Sequence, residues 1–247
     1  MEHKIIIFFV GPQGSGKTTH AKLLSQILRT HTNVCLTHLN SHAFPHILFT
    51  RVMDTVVCRL FHSCIKSKFY ENLPPTTLAP PKLYIAVFPI ILLIHMLSYV
   101  ISRYKLSAYL QKCNVIIDQE GYLIKQASDI FWLASYARLR LNKRIWEMLI
   151  KFLLYMILHI AELAKKYNVL IVLLHCDYKI LVERYYKRRK VEPHCYVNFQ
   201  YRFYSTIVQI LKHIVINLRF ITVFTDKPLE QPSKIWYHYK FNDLELN

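Results

Sequence analysis

The chain has 247 residues, 53% of them hydrophobic and 19% charged, with a mean hydropathy of +0.19. That is too apolar for a disordered chain, and long enough for one sizeable core or two small ones. Its 32 Lys and Arg against 15 Asp and Glu leave a formal charge of +17, which attracts anions without choosing among phosphates, nucleic acid and an acidic membrane face.

Residues 4–10 (KIIIFFV) form an unbroken apolar run ending at Gly11, the pattern of a central parallel strand buried on both faces. The chain enters this strand almost at once, which predicts no cleaved signal peptide. Residues 20–29 have helical spacing, with Ala21, Leu24 and Leu28 on one side, and 34–39 read as a second strand. A helix is predicted over 43–67, entered near Pro45. Residues 71–82 (ENLPPTTLAPPK) hold four prolines and read as a linker or rigid loop.

Residues 83–100 (LYIAVFPIILLIHMLSYV) are nearly all apolar and predict a helix running to about 110, which Pro89 kinks or opens. Its length approaches the ~20 residues that span a bilayer. A buried or partner-covered helix, including a homodimer face, is the preferred reading, because strand–helix alternation brackets it. A membrane or interfacial role is the alternative.

Residues 114–118 (NVIID) read as a third strand, 124–137 and 143–166 as helices, and 168–174 (NVLIVLL) as a fourth strand. A strongly basic helix follows at 178–190, then a helix at 197–215 and a fifth strand at 219–224. The tail after 227, with Trp236, Tyr237 and Tyr239, is expected to pack on the domain. Alternating strands and helices imply right-handed crossovers and a mostly parallel sheet. Ligands of such sheets bind beyond the C-terminal strand ends, a rim that gathers 11–18, 118–120 and the segment after Leu174.

GPQGSGKT at 11–18 matches G-x-x-x-x-G-K-[ST], with a strand before it and a helix after it. Gly11, Gly14 and Gly16 let the backbone of this loop, with Pro12, Gln13 and Ser15, wrap so that its amides face phosphates. The helix beginning near Lys17 adds its free N–H groups, with Thr19 in its first turn. Lys17 is placed to reach the β and γ phosphates of ATP, and the Thr18 hydroxyl to ligate Mg²⁺. Three of the four glycines lie here, and the fourth, Gly121, follows the third strand.

Asp118 and Glu120 can hold Mg²⁺ directly or through water, or orient an acceptor; helix capping is the other reading. Asp129 reads as a surface or capping residue. Arg184 and Arg188 are four apart and share a helix face, where two guanidiniums can clamp a triphosphate and stabilise the transferring group. Lys187, Arg189 and Lys190 read as solvated surface, with a nucleic-acid patch as the alternative. Tyr196, Phe199, Tyr201, Phe203 and Tyr204 read as core packing in preference to base stacking. The six cysteines contain no CxxC pair, which argues against a zinc knuckle or ribbon. Several lie in apolar runs and predict buried free thiols in a reducing, cytoplasmic compartment.

GPQGSGKTTHAKLLSQIL at 11–28, NVIID at 114–118 and LVERYYKRRK at 181–190 together resemble the thymidylate kinase-like group of P-loop nucleotide kinases. The resemblance implies one P-loop NTPase domain over 1–247, a three-layer α/β/α fold with a mostly parallel five-stranded sheet. It implies a lid at about 184–196, whereas a helical insertion at about 71–110 is atypical of the family. It further implies phosphoryl transfer from ATP·Mg²⁺ to a nucleoside monophosphate, thymidylate first, with Lys17, Asp118, Arg184 and Arg188 as catalytic residues. Two further departures stand out. Gln119 occupies the place of the family's acceptor-gripping Arg, leaving Arg51, Arg59 or Arg138 to supply that charge. THLNSH at 37–42, with His38 and His42, replaces a stretch where the family carries a charged residue. Three rivals stay open: a kinase with another acceptor, an NTP-dependent binding or regulatory protein with a nucleic-acid, membrane or protein partner, and a structural nucleotide binder without turnover.

Overall fold

A computed structural model describes residues 4–39, 81–136, 143–187 and 194–226. The elements are β1 (Ile5–Val10), α1 (Lys17–Leu28), β2 (Val34–Thr37), α2 (Pro81–Lys112), β3 (Val115–Asp118), α3 (Tyr122–Tyr136), α4 (Lys143–Lys166), β4 (Asn168–His175), α5 (Tyr178–Lys187), α6 (His194–Ile214) and β5 (Arg219–Phe224). The five strands form one sheet in the order β2-β3-β1-β4-β5, and every pairing is parallel.

β1 explains the architecture. Branched and aromatic side chains suit a pleated surface, and an unbroken apolar run needs cover on both faces. Ile6, Phe8 and Val10 point into a core filled by α2, α3, α4 and α6. Ile5, Ile7 and Phe9 point the other way, onto Ala21, Leu24 and Leu28 of α1. The result is the three-layer α/β/α fold. The connection after β1 leads to β2 and that after β3 leads to β4, so the two adjacent strands depart in opposite directions. Their C-terminal ends flank the crevice where such sheets bind ligands.

All five strands and the helices over 17–28, 81–112, 122–136, 143–166, 178–187 and 194–214 answer to predicted elements, with ends shifted by a few residues. The helix expected over 43–67, the proline-rich stretch to 80 and the tail after 227 lie outside the described residues. Pro89 is internal to α2, which starts at Pro81, so it does not open the helix. No helix among the described residues is long and apolar enough to cross a membrane. The aromatic run after 195 packs as expected: Tyr196 and Tyr204 are buried, and Phe199 stacks on Phe203.

The cysteine expectation needs correction. Cys35 of β2 and Cys113, just before β3, form a disulfide with Cα atoms 5.9 Å apart. Cys176 is free and buried, as expected. The paired cysteines lie 78 residues apart, and only the parallel pairing of β2 with β3 brings them together. Disulfides are rare where thiols are kept reduced, so the bond also removes the support that the cysteines lent to a reducing compartment. Closing a loop of that length stabilises a fold by about 4 kcal/mol on the chain-entropy account. Urea unfolding of the wild type with and without reductant, and of Cys113→Ser, is expected to show a loss of that order. Coincident midpoints would mean that the bond contributes nothing.

Candidate functional site

The chain leaves β1 at Gly11 and turns through a tight loop into α1. A Cβ on Gly11 would lie 2.6 Å from the Leu174 carbonyl oxygen of β4, so only glycine allows this approach. The helix N-cap, Gly16, is left-handed at φ 93°, offers no capping side chain, and no acidic residue follows in the first turn. No carboxylate of that first turn offsets the positive end of the helix dipole. Lys17 folds back over the loop, its Nζ donating to the Gly11 and Pro12 carbonyls at 2.8 and 2.9 Å. Ser15 is fully buried, and its Oγ has no partner among the described residues. Thr18 and Thr19 lie exposed at the rim.

Two side chains from the far end of the chain hold this loop. The Gln13 amide donates to Oε1 of Gln200 at 3.0 Å, across 187 residues. Gln200 is fully buried on α6, and its Nε2 donates to the Tyr196 hydroxyl at 2.6 Å. Tyr196 in turn packs its ring edge against Trp132 of α3. Nothing local in the sequence marked Gln200. Arg184 of α5 is the second support. Its Nη1 donates to the Gly14 carbonyl at 3.4 Å and lies 3.5 Å from Thr225 Oγ1, and its Nη2 donates to the Thr225 carbonyl. Thr225, just past β5, is fixed by its amide and hydroxyl, which both donate to the His175 carbonyl. Burial, then the charge of Arg184, hold the His20 imidazole below its ordinary pKa, so the ring beside Gly16 is neutral at pH 7. Burial likewise raises the Cys176 thiol, which stays protonated.

The end of β3 forms the other wall. Asp118 is fully buried; its Oδ1 accepts the Leu39 amide at 3.1 Å and its Oδ2 the Tyr122 amide at 2.7 Å. Ser102 of α2 donates to the Leu39 carbonyl at 2.8 Å. One carboxylate thus ties the exit of β2 to the first turn of α3, and one hydroxyl brings in α2. Burial pushes the Asp118 carboxyl up to about 7, against the pull of those two amide bonds. Gly121, at φ 56°, packs so closely on β1 that a Cβ would run into Val10 Cγ1. Gln119 is buried, and its Oε1 has no partner among the described residues. Glu120 is half-buried. Asp129 forms an ion pair with Lys125 one helical turn away and is no simple cap. Burial opposes the charge on Lys125, but Asp129 outweighs it and the ammonium is stabilised.

The loop from Gly11, the Asp118–Glu120 end of β3 and Arg184 therefore share one rim, at the C-terminal ends of parallel strands. His38 is exposed on the segment after β2. Arg188, Arg189, Lys190, His42, Arg51, Arg59 and Arg138 lie outside the described residues. No protein-family model matches the chain, and no curated protein matches it in sequence. Solved structures do match. A deoxyadenosine kinase from M. mycoides with bound dATP aligns with a TM-score of 0.55 and 14% identity, over 96% of this chain and 98% of that one. At that identity the likeness is one of fold: the chain has the three-layer α/β/α architecture of the P-loop NTPases.

Two predictions follow from the two walls. The Asp118 carboxyl titrates near 7 in the folded chain against 3.8 in the unfolded one, so its contribution to stability is full below pH 4 and is lost as pH rises towards and through 7. A shift of that size corresponds to a few kcal/mol, about 1.4 per pK unit. The difference in unfolding free energy between Asp118→Asn and wild type is expected to move in favour of the variant from pH 4 to neutrality; a pH-independent difference would contradict the buried carboxyl. Gln200→Leu leaves the Gln13 amide without its buried acceptor and is expected to cost about 1–3 kcal/mol. Gln200→Glu keeps an acceptor and is expected to recover part of that loss in the same urea titration.

Proposed function

We propose that this chain transfers the γ-phosphoryl group of ATP to a nucleoside monophosphate, with thymidylate as the first acceptor to test. The observation that carries the reading is the loop at 11–18: a glycine-built turn opening an uncapped helix, with Lys17 folded over it and Arg184 docked on Gly14. Loop amides and the first turn of α1, through Thr19, cradle the donor phosphates. Lys17 exchanges two backbone carbonyls for β- and γ-phosphate oxygens. Arg184, docked on Gly14, is the residue proposed to stabilise the transferring group, with Arg188, four residues on in sequence, as its companion. Excluding water from the site keeps it from competing for the phosphoryl group.

A magnesium ion, when bound with ATP, neutralises phosphate charge. The exposed Thr18 hydroxyl fits it directly, and the half-buried Glu120 is open to it. Both Asp118 oxygens already accept backbone amides, so Asp118 fits such an ion through a bridging water. In the transfer, an acceptor oxygen forms a bond to the γ phosphorus as the bond to the β-phosphate oxygen breaks, and ADP leaves. A monophosphate brings its own anionic oxygen and needs no base. A nucleoside hydroxyl must lose its proton, for which Asp118 and Glu120 are the nearby carboxylates.

One observation favours that second class of acceptor. Gln119, an amide with a buried unpartnered oxygen, follows Asp118 where a guanidinium would grip a monophosphate. The similar structure is that of a deoxyadenosine kinase. The deciding assay incubates the protein and Mg²⁺·ATP with each nucleoside monophosphate and each deoxynucleoside in turn, measuring ADP with the phosphorylated product. Lys17→Ala is the control, expected to lower turnover by about 10²-fold or more. Lys17-dependent formation of dTDP supports the thymidylate reading. Deoxynucleoside monophosphates alone support the second. Intact ATP binding without transfer to any acceptor would overturn both.

A further inference from the structure

Two backbone amides hold the Asp118 carboxyl group, and each amide is itself held from a different helix. The Leu39 amide donates to Oδ1 and the Tyr122 amide to Oδ2, and one bond on each oxygen fixes the plane of the group. On the β2 side, Ser102 of α2 anchors the Leu39 carbonyl. On the other side, Tyr122 is the first residue of α3, where an amide has no partner within its own helix.

The side chain of Tyr122 supplies the second anchor. Its ring is fully buried and meets Phe8 of β1, with centroids 6.0 Å apart, and its hydroxyl lies 3.3 Å from Nε2 of His159 on α4. Both groups are neutral at pH 7. Burial is the main cause: it raises the Tyr122 phenol well above its ordinary pKa and lowers the His159 imidazole to about 4. A neutral imidazole has one N–H and one acceptor nitrogen. Nδ1 of His159 faces a Glu162 carboxylate oxygen at 3.8 Å, which favours the proton there and leaves Nε2 to accept from the phenol. Glu162 is held in turn by Lys166 at 3.0 Å, and Tyr99 of α2 packs against the His159 ring in an edge arrangement.

Stability alone does not call for this pair. Two apolar side chains of similar shape would fill the same core with no polar group to satisfy, at little net cost. What a buried hydrogen bond adds is direction, since it forms in one geometry and rigidifies what it joins. We propose that Tyr122 and His159 are positioning residues: the bond between them sets the first turn of α3 and, through the Tyr122 amide, the orientation of the Asp118 carboxyl group. The bonds stand apart from any reaction; their effect on turnover rests on the phosphoryl-transfer reading above. Misplacing a reacting group by about 1 Å can cost on the order of 10²-fold in rate.

The test reads the amides directly, in assigned proton–nitrogen correlation spectra of the full chain. An amide proton drawn into a short hydrogen bond resonates downfield. His159→Leu and Tyr122→Phe are each expected to move the residue-122 amide proton upfield. His159→Gln keeps an acceptor near the place of Nε2 and is expected to return it towards the wild-type position. In the transfer assay the first two variants are expected to lower kcat/KM for the acceptor by about 10-fold or more, with ATP affinity unchanged. The double variant is expected to be no worse than either single one, because both remove the same bond. A residue-122 amide unmoved in both variants overturns the proposal. So does His159→Gln behaving as His159→Leu, or a loss of ATP affinity as large as the loss in acceptor kcat/KM, which marks a general loosening. Should His159→Leu fail to fold, Tyr122→Phe, which removes a single oxygen, decides by the same shift. If no acceptor is phosphorylated, the reaction proposed above fails, and the amide shifts still decide the positioning role.

Discussion

The exit of β1 is the constraint on which the site depends. Four contacts converge on residues 10–14 from distant parts of the chain. Gly121 packs on Val10, the Leu174 carbonyl stands where a Gly11 side chain would be, Gln200 holds the Gln13 amide, and Arg184 holds the Gly14 carbonyl. Each contact needs a particular residue type: no Cβ at 11 and 121, an amide oxygen at 200, a guanidinium at 184. The loop is thereby shaped before any ligand arrives. Its shape rests on β3, β4, α5 and α6 as much as on its own glycines, and preorganisation of this kind lowers the ordering cost of binding.

The same economy governs the charged groups. Lys17, Arg184 and Asp118 are each satisfied within the protein: the two cations on backbone carbonyls, the carboxylate on two amides. Of the three only Asp118 is fully buried, and there a carboxyl without partners would be costly. In the proposed reaction, a polyphosphate would replace the carbonyl partners of the two cations with phosphate oxygens of full negative charge. Asp118 is different in kind. Its partners are the exit of β2 and the start of α3, so its removal would disturb the wall of the site whatever its chemical role. A loss of activity on mutating Asp118 therefore cannot by itself identify a base or a metal ligand.

What could be read in the sequence was what is local. The strands showed as apolar runs because both faces of a central parallel sheet are covered. The loop at 11–18 showed because its glycines, lysine and threonine are contiguous and its strand–helix setting adjoins it. Arg184 showed because another arginine follows four residues on in the sequence. What escaped was pairing over long separations: Gln200 with Gln13, Cys35 with Cys113, and the tie from Asp118 to Leu39. A lone buried glutamine on a helix, or a cysteine in an apolar strand, carries no mark of its partner until the sheet order β2-β3-β1-β4-β5 brings the two together. Lys125 was passed over for a related reason, since an i, i+4 pair looks the same in sequence whether solvated or largely buried.

The apolar segment of α2 shows a subtler limit. Its mean hydropathy is high, and its inner and outer stripes both follow the heptad spacing, so the helix is apolar all round and periodicity cannot say which side faces the core. Composition alone could not separate a core helix, a membrane helix and a partner-covered helix. The arrangement of helices breaks the tie. Ser102 reaches the Leu39 carbonyl and Gln126 reaches Ser98, so the stripe with the polar residues is the one turned inward, its hydroxyls used in the core. The stripe with only apolar and aromatic residues is left outside. Which side of the helix faces the core thus follows from the direction of its hydrogen bonds rather than from hydropathy.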